Sequence, residues 1–491
     1  MRDRTYLTIT VLFAVIAGCS TTAVEPKIDV PSIPERWASS LAPTGADDIP
    51  WWLTFDAPGL SEAIETALAN SPSLEQQQAR LDAARAQARI IGADFEPQVG
   101  LGVNGSRRQQ NFIGLPIPGA TGNVLTSTST TVGVSLDTAW EVDLWGRGKA
   151  ARSAARAGIT ATQLDLAAAN LSIAAQTAKA WTALAEASAQ VELSQQTVDN
   201  RTRARERIER RFELGIATAL QVRLARSEQE IATADLHQSR RFEDAMRRQF
   251  EVLLRRYPAG EAVPGTLPAL PDLSSRTLPT DLVARRPDLM ALEARLERSG
   301  YSLLEAKRSL YPRLSLNGSI GRTGEETANL LKNDFDVWSL AGGLLQPLFQ
   351  GGRLRAAVDL SRAQRDELVA LYVQTLLDAY REVETRLAGE QSLAAVETAL
   401  AAAEQESREA VELAEREYAR GINAYLVVLR SQTDHLNAAR RHLSVRAQRM
   451  TNRIDLHLAL GDGLEAISQR QINVQAEGEP SPETAEDSED V

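Results

Sequence analysis

Around residues 95–145 the spacing of apolar positions is two. Val99, Leu101 and Val103 alternate with small residues, and Val132, Val134, Leu136, Trp140, Val142 and Leu144 share one face of a longer run whose other face carries Asp137, Glu141 and Asp143. Apolar on one side and polar on the other for ten or more residues predicts strands of the kind that cross a hydrocarbon layer. Residues 70–94 and 150–214 flank this region and are rich in Ala, Gln, Glu, Arg and Leu, the composition of long helix. The strand pattern returns more weakly later, as Leu314, Leu316 and Ile320, then Trp338, Leu340 and Leu344 beyond a turn that includes Gly324.

The spacing of prolines and glycines predicts an internal tandem repeat. Pro72 to Pro97 and Pro287 to Pro312 both span 25 residues, while Gly146 to Gly215 spans 69 and Gly351 to Gly421 spans 70. Only Pro97 to Gly146 departs, with 49 residues against 39 for Pro312 to Gly351, which places an insertion around NFIGLPIPGATGN. The expected divisions are a signal peptide (1–18), a lipidated extended segment (19–58), repeat 1 (59–257), a Pro-rich linker (258–278), repeat 2 (279–470) and an acidic tail (471–491). Each repeat is read as helix, two strands, a long helix and a return helix. At about 1.5 Å per residue the long helix covers ~100 Å, and the two shorter ones sum to nearly the same length when stacked end to end beside it.

Four strands leave two open edges, and unpaired amides are not tolerated in hydrocarbon, so one chain cannot seal a wall alone. Two chains would supply eight strands and three would supply twelve. At the far end of each long helix the chain must reverse, and Gly215 and Gly421 can take the left-handed conformation that costs other residues about 1–2 kcal/mol. Ile216, Leu220, Ile422, Tyr425 and Leu426 then leave apolar groups at that end with nothing of their own to bury them, a pattern that marks a partner.

Composition narrows the classes. The chain has 491 residues, 43% of them apolar but only 5% aromatic, which favours long packed helices over a compact globule. Seven of the eleven net negative charges come from the last fifteen residues, so the body is close to neutral and nucleic acid is not an expected partner. Arg2 and Arg4 precede an apolar run over 7–17 that is too short to span a bilayer, and Cys19 follows Ile16-Ala17-Gly18 in a sequence resembling a bacterial lipobox. Acyl chains on Cys19 would hold the mature end to membrane lipid. As the sole cysteine, it excludes an internal disulfide and a multi-cysteine metal site.

The stretches WWLTFDAPGL, LARRPDLMALEARL, YPRLSLNGSIG, PLFQGGRLRAAV, YREVETRLA and YARGINAYLVVLRSQ, running from about Trp51 to Gly463, resemble the TolC-like outer-membrane factors, in the lipoprotein branch that serves resistance-nodulation-division efflux. The resemblance implies a homotrimer in the outer membrane: a twelve-stranded β-barrel continuous with a twelve-helix periplasmic tube. It also implies a periplasmic membrane-fusion adaptor docked at the tips, an inner-membrane transporter, passive conduction of small molecules, and no cofactor or enzymatic step. On that basis the docking residues are Gly215, Ile216, Leu220, Arg420, Gly421, Ile422, Asn423, Tyr425 and Leu426, and the gate candidates are Gln221, Val427, Arg430 and Asp434. Family members often carry an acidic residue where this chain has Arg430; Asp434, one turn on, is its expected partner. A type I protein-secretion duct is the rival within the fold, and a lipid-anchored coiled-coil scaffold without a pore is the rival outside it.

Other motifs read as ordinary structure. GLGVNG fits a dinucleotide pattern, but no helix follows it to hold a phosphate. Glu141 and Asp143 could suggest an acid/base pair and are expected instead to be solvated wall residues. His435 and His442 are seven apart with no third ligand, so no metal site is expected. Trp140, Trp145, Tyr311, Trp338 and Phe349 are candidates for an interfacial belt, with tertiary packing as the alternative.

Overall fold

The computed structural model describes residues 28–29, 32–39, 50–112, 125–263, 265–270, 273 and 278–463. Cys19, the signal peptide, the acidic tail and most of the insertion around Pro116 and Pro118 lie outside the described residues. The helices are α1 (Pro58–Asn70), α2 (Pro72–Ala93), α3 (Arg147–Glu213), α4 (Ala219–Leu253), α5 (Leu282–Arg285), α6 (Pro287–Arg308), α7 (Arg353–Ala419) and α8 (Tyr425–Leu460). The strands are β1 (Gln98–Phe112), β2 (Leu125–Val142), β3 (Arg313–Gly324) and β4 (Asp336–Leu345). The second half returns the element order of the first, with α2 and α6 of 22 residues each, α3 and α7 of 67, and α4 and α8 of 35 and 36. Among the described residues no helix is long and apolar enough to cross a membrane.

The chain divides into two compact units. One comprises the described residues within 81–161 and 292–371, and its centre is an antiparallel sheet of order β1-β2-β3-β4. Register fixes the faces, because paired residues project to the same side. Leu101 pairs with Leu136, Leu136 with Ile320, and Ile320 with Trp338, so one apolar row crosses all four strands. Val99, Val103, Val134, Leu316 and Leu340 share that face. It is uncovered: Leu101 is 70%, Ile320 64% and Trp338 78% exposed. The opposite face carries Gly100, Gly102, Ser135, Asp137, Asn317, Ser319 and Ser339. β2 ends at Val142, so Leu144 and Asp143, read as strand positions, fall beyond it.

Where strand gives way to helix, the aromatic candidates separate. Trp145 donates its indole N–H to the Pro312 carbonyl at 2.8 Å and packs on Tyr311, while Trp140 donates to the Phe95 carbonyl at 3.0 Å. These three are tertiary contacts, whereas Trp338 and Phe349 remain exposed.

The other unit comprises the described residues within 29–80, 162–291 and 372–463. Its core holds three of the chain's seven tryptophans: Trp51, Trp52 and Trp181, with Phe55 and Phe250, pack with Leu60, Ile64, Leu171, Ala174, Ala178, Leu184, Met450 and Ile454. Alanines along α3 let neighbouring helices approach, and the aromatics fill what remains. Residues 51–55 fall in the segment read as extended, yet they form a buried 3-10 turn. The reason is packing: Trp51 stacks on His457 with centroids 5.6 Å apart and meets Trp52 and Phe55 edge to face. Upstream, the amides of Ala38 and Ser39 donate to the Glu384 carboxylate at 2.7 and 3.0 Å. The linker is pinned in the same way, because buried Glu251 accepts from the amides of Gly260, Glu261 and Ala262 at 2.8, 2.6 and 2.8 Å.

Charge is also buried in this unit. Glu390, 4% exposed, takes Arg453 at 2.7 Å and Arg449 at 2.9 Å, and Arg449 reaches Glu397 at 2.9 Å. Burial pushes the Glu390 carboxyl upward, but the hydrogen bonds and charges of Arg453 and Arg449 outweigh it and hold the group below its ordinary value. A folded-state value below the unfolded one stabilises at neutral pH and loses that contribution as the pH falls through the folded value, below the ordinary carboxylate range. Removing one partner strands the other in low dielectric, so Glu390→Ala is expected to cost about 3–5 kcal/mol. Thermal unfolding followed by the helical signal checks this: the variant should melt well below wild type at neutral pH, and the gap should narrow in acid. Equal melting at neutral pH would contradict it.

Candidate functional site: the helix tips and the inner sheet face

Both tips are built alike from the backbone up. At the end of α3, Gly215 sits at φ 74° and donates to the Phe212 carbonyl at 2.9 Å, while Ile216 donates to Arg211 at 2.8 Å. At the end of α7, Gly421 sits at φ 74° and donates to Tyr418 at 3.0 Å, while Ile422 donates to Glu417 at 2.9 Å. These are Schellman caps, which close helices through a left-handed residue. A Cβ at either glycine would meet nothing within 4 Å, so conformation alone demands glycine there. The isoleucine after each glycine would ordinarily fold back onto the helix. Here the residues it would meet are Arg211 and Glu417, and Ile216 and Ile422 stay 62% and 66% exposed.

The return helices start differently. α4 opens with a capping box in which Thr218 and Gln221 exchange bonds at 2.9 and 3.3 Å. Gln221, a gate candidate, is therefore occupied in holding its own helix start. Asn423 bonds Glu417 and fixes the second turn.

Tyr425 departs from expectation. It was grouped with the exposed apolar residues, but it is 4% exposed and lies in a small core with Ile208, Ala217, Val222, Ala225, Val428 and Leu429. Its ring meets Tyr418 at 5.5 Å, and the Arg211 guanidinium covers the Tyr418 ring at 5.0 Å. Burial pushes the Tyr425 hydroxyl upward. Beside it lies a cleft of about 150 Å³ lined by Arg207, Arg211, Glu415, Tyr418 and Val428. The tip thus has a core of its own, while Ile216, Leu220, Ile422 and Leu426 are left uncovered, with Leu214 exposed beside them.

Behind Tyr425, α8 presents Val427, Arg430 and Asp434 on its exposed side. Arg430 Nε lies 3.9 Å from Asp434 Oδ2, with side chains 85% and 65% exposed. A solvated pair at that spacing contributes a few tenths of a kcal/mol and leaves Arg430 free to move. Deeper in, Arg201 binds Gln432 at 2.5 Å and Glu228 at 3.5 Å, and Gln432 reaches Glu415 at 2.7 Å. Sequence reasoning passed over this network because its members lie on four helices.

At the end of β2, Glu141 and, just beyond the strand, Asp143 are not solvated wall residues. Glu141 pairs with Arg147 at 2.9 Å, and Asp143 accepts the Lys149 amide at 2.8 Å in the first turn of α3. They fix the entry from strand to helix. The histidines are likewise engaged, His435 with Ser407 at 3.2 Å and His442 with Glu404 at 2.6 Å. GLGVNG lies within β1. Gly215→Ala or Gly421→Ala should loosen its own tip by about 1–2 kcal/mol through strain at positive φ. Hydrogen exchange should then speed up in the last turns of α3 or α7 and leave the core around Trp51 unchanged; unaltered tip protection would refute this.

Comparison with known proteins places this geometry. The family model for outer membrane efflux proteins matches residues 63–260 and 278–462. The chain is 30% identical to outer membrane protein OprJ of Pseudomonas aeruginosa, over 94% of this chain and 97% of that one. It is 29% identical to the pyoverdine export outer membrane protein OpmQ of Pseudomonas putida, over 92% and 96%. The solved open state of the MtrE outer membrane channel of Neisseria gonorrhoeae superposes with a TM-score of 0.78 at 25% identity, over 90% of this chain and 99% of that one. The matched residues take in the four strands and both tips, and the chain belongs to the outer membrane efflux protein family.

Proposed function

We propose that this chain is one third of an exit duct in the outer membrane, through which a tripartite resistance-nodulation-division pump passes small molecules to the exterior. The observation that carries the reading is the sheet. Its outer face is an uncovered apolar band, and β1 and β4 each pair on one side only. In β2 the band from Val132 to Val142 covers roughly 34 Å along the strand, enough for a hydrocarbon layer at a tilt of about 40°. Unpaired amides on both edges would cost several kcal/mol each in lipid, so copies must join edge to edge. Three copies give twelve strands. Matching element lengths in the two halves support a gene duplication as the origin of the chain.

The tips are the docking surface for a periplasmic adaptor, through Ile216, Leu220, Ile422 and Leu426 with Gly215, Arg420, Gly421, Asn423 and Tyr425 shaping the turns. Val427, Arg430 and Asp434 face the axis, Gln221 holding the neighbouring helix start. Cys19, outside the described residues, is the site of acylation. Export of a small molecule by a relative of similar length favours efflux over protein secretion. The chain itself binds no cofactor and performs no chemistry.

Purified protein should migrate in mild detergent as a heat-sensitive trimer and give stepwise currents in planar lipid films; a watertight monomer would overturn the duct. A ring of three Arg430 side chains at the axis repels cations, so Arg430→Ala should raise potassium conductance at low salt by about twofold or more. Conductance equal to wild type would remove Arg430 from the gate.

A further inference from the structure

The inner face of the sheet is small and mostly neutral, built from Gly, Ser, Asn and Ala, and its centre is the exception. Asp137 of β2 lies opposite Gly100 of β1 and Ser319 of β3, and Ser319 lies opposite Ser339 of β4. The four residues form one row across the sheet at the floor of an open hollow of about 490 Å³, which Asn317 and Gln98 also line. Ser135 Oγ donates to Asp137 Oδ2 at 2.8 Å. A Cβ at Gly102 would stand 3.1 Å from the same oxygen, so the glycine keeps room for the carboxylate. Among the described residues no cation pairs with Asp137. Glu141, the other carboxylate on this face, is neutralised by Arg147. Arg108 and Arg313 also project to this side, but by register they stand eight and six residues from the row, roughly 20–27 Å along the strands.

We propose that Asp137 is a charge-selecting residue of the duct, favouring passage of cationic over anionic solutes through the barrel. The proposal rests on the trimeric duct, which converts one carboxylate into a ring of three. Twelve strands about 4.8 Å apart, tilted about 40°, enclose a lumen with a backbone radius on the order of 12 Å. The carboxylates reach inward from that wall and sit within about a Debye length of the axis at 0.1 M salt, and well within one at 0.01 M. The arginine levels lie beyond a Debye length at 0.1 M salt and act as separate rings. Hydroxyl donors and a glycine gap hold the charge in place without neutralising it.

The test is the reversal potential in planar lipid films under a tenfold KCl gradient centred on about 0.1 M, where the arginine levels are screened from the row, for wild type and for Asp137→Glu, Asp137→Asn and Asp137→Lys, each made also with Arg430→Ala so that the tip ring is absent. The potassium-to-chloride permeability ratio should fall in the order Asp and Glu, then Asn, then Lys. Asn should lower it about twofold or more, and the differences should shrink at 1 M salt. Retention by Glu separates charge from packing. Indistinguishable ratios for Asp137→Asn and wild type in both backgrounds overturn the assignment while leaving the duct intact. A wild type that gives no current overturns the duct and the assignment with it.

Discussion

The constraint on which this structure turns is that a peptide amide in hydrocarbon must have a partner. A helix satisfies it internally and a sheet only by closure. Among the described residues this chain brings four strands with an apolar face, and β1 and β4 each pair on one side only. The edge strands are where, among the described residues, that constraint is left unmet. The same constraint bears on a protein of outer membrane efflux type that carries so much helix, yet among its described residues none long and apolar enough to cross a membrane: its uncovered apolar face is sheet.

The helical unit solves a different problem. Long helices rich in alanine pack closely but have little surface with which to specify register, and two devices supply it. Three of the seven tryptophans are gathered into one place, where Trp51, Trp52 and Trp181 share a core with Phe55 and Phe250. Buried ion pairs such as Glu390 with Arg453 tie α7 to α8 at one level. A buried pair is weak evidence for stability, since desolvation offsets its attraction, but a mispaired charge is costly, and that cost disfavours sliding by a turn. Backbone capture by Glu251 and Glu384 fixes the irregular segments to the same scaffold.

At the tips, stability and exposure are divided between neighbouring residues. Tyr418, Tyr425, Val428 and Leu429 make a small core that holds the hairpins, and the Schellman turns carry Ile216 and Ile422 outward where the helix offers them no apolar partner. A surface of this kind stays open to a partner without unfolding. Arg430, in a loose, solvated pair with Asp434, and Asp137, held by a hydroxyl within the sheet, are two charges of opposite sign, and among the described residues Asp137 has no cation partner.

Much of this was legible in the chain alone, because it is written in period and in glycine. Alternation placed the strands, the Gly146 to Gly215 and Gly351 to Gly421 intervals placed the long helices, and the glycines after Leu214 and Arg420 placed the turns, since few other residues accept positive φ. These are local properties, set by backbone sterics and by the residue's own side chain. Tertiary structure decided what depends on neighbours distant in sequence. It buried Tyr425, turned 51–55 into a core element through stacking on His457, drew Glu141 onto Arg147, spent Gln221 on a helix cap, and among the described residues gave Asp137 a hydroxyl rather than a cation. No spacing announces such outcomes, because the fate of a polar or aromatic side chain is fixed by which groups the fold brings within a few ångströms of it.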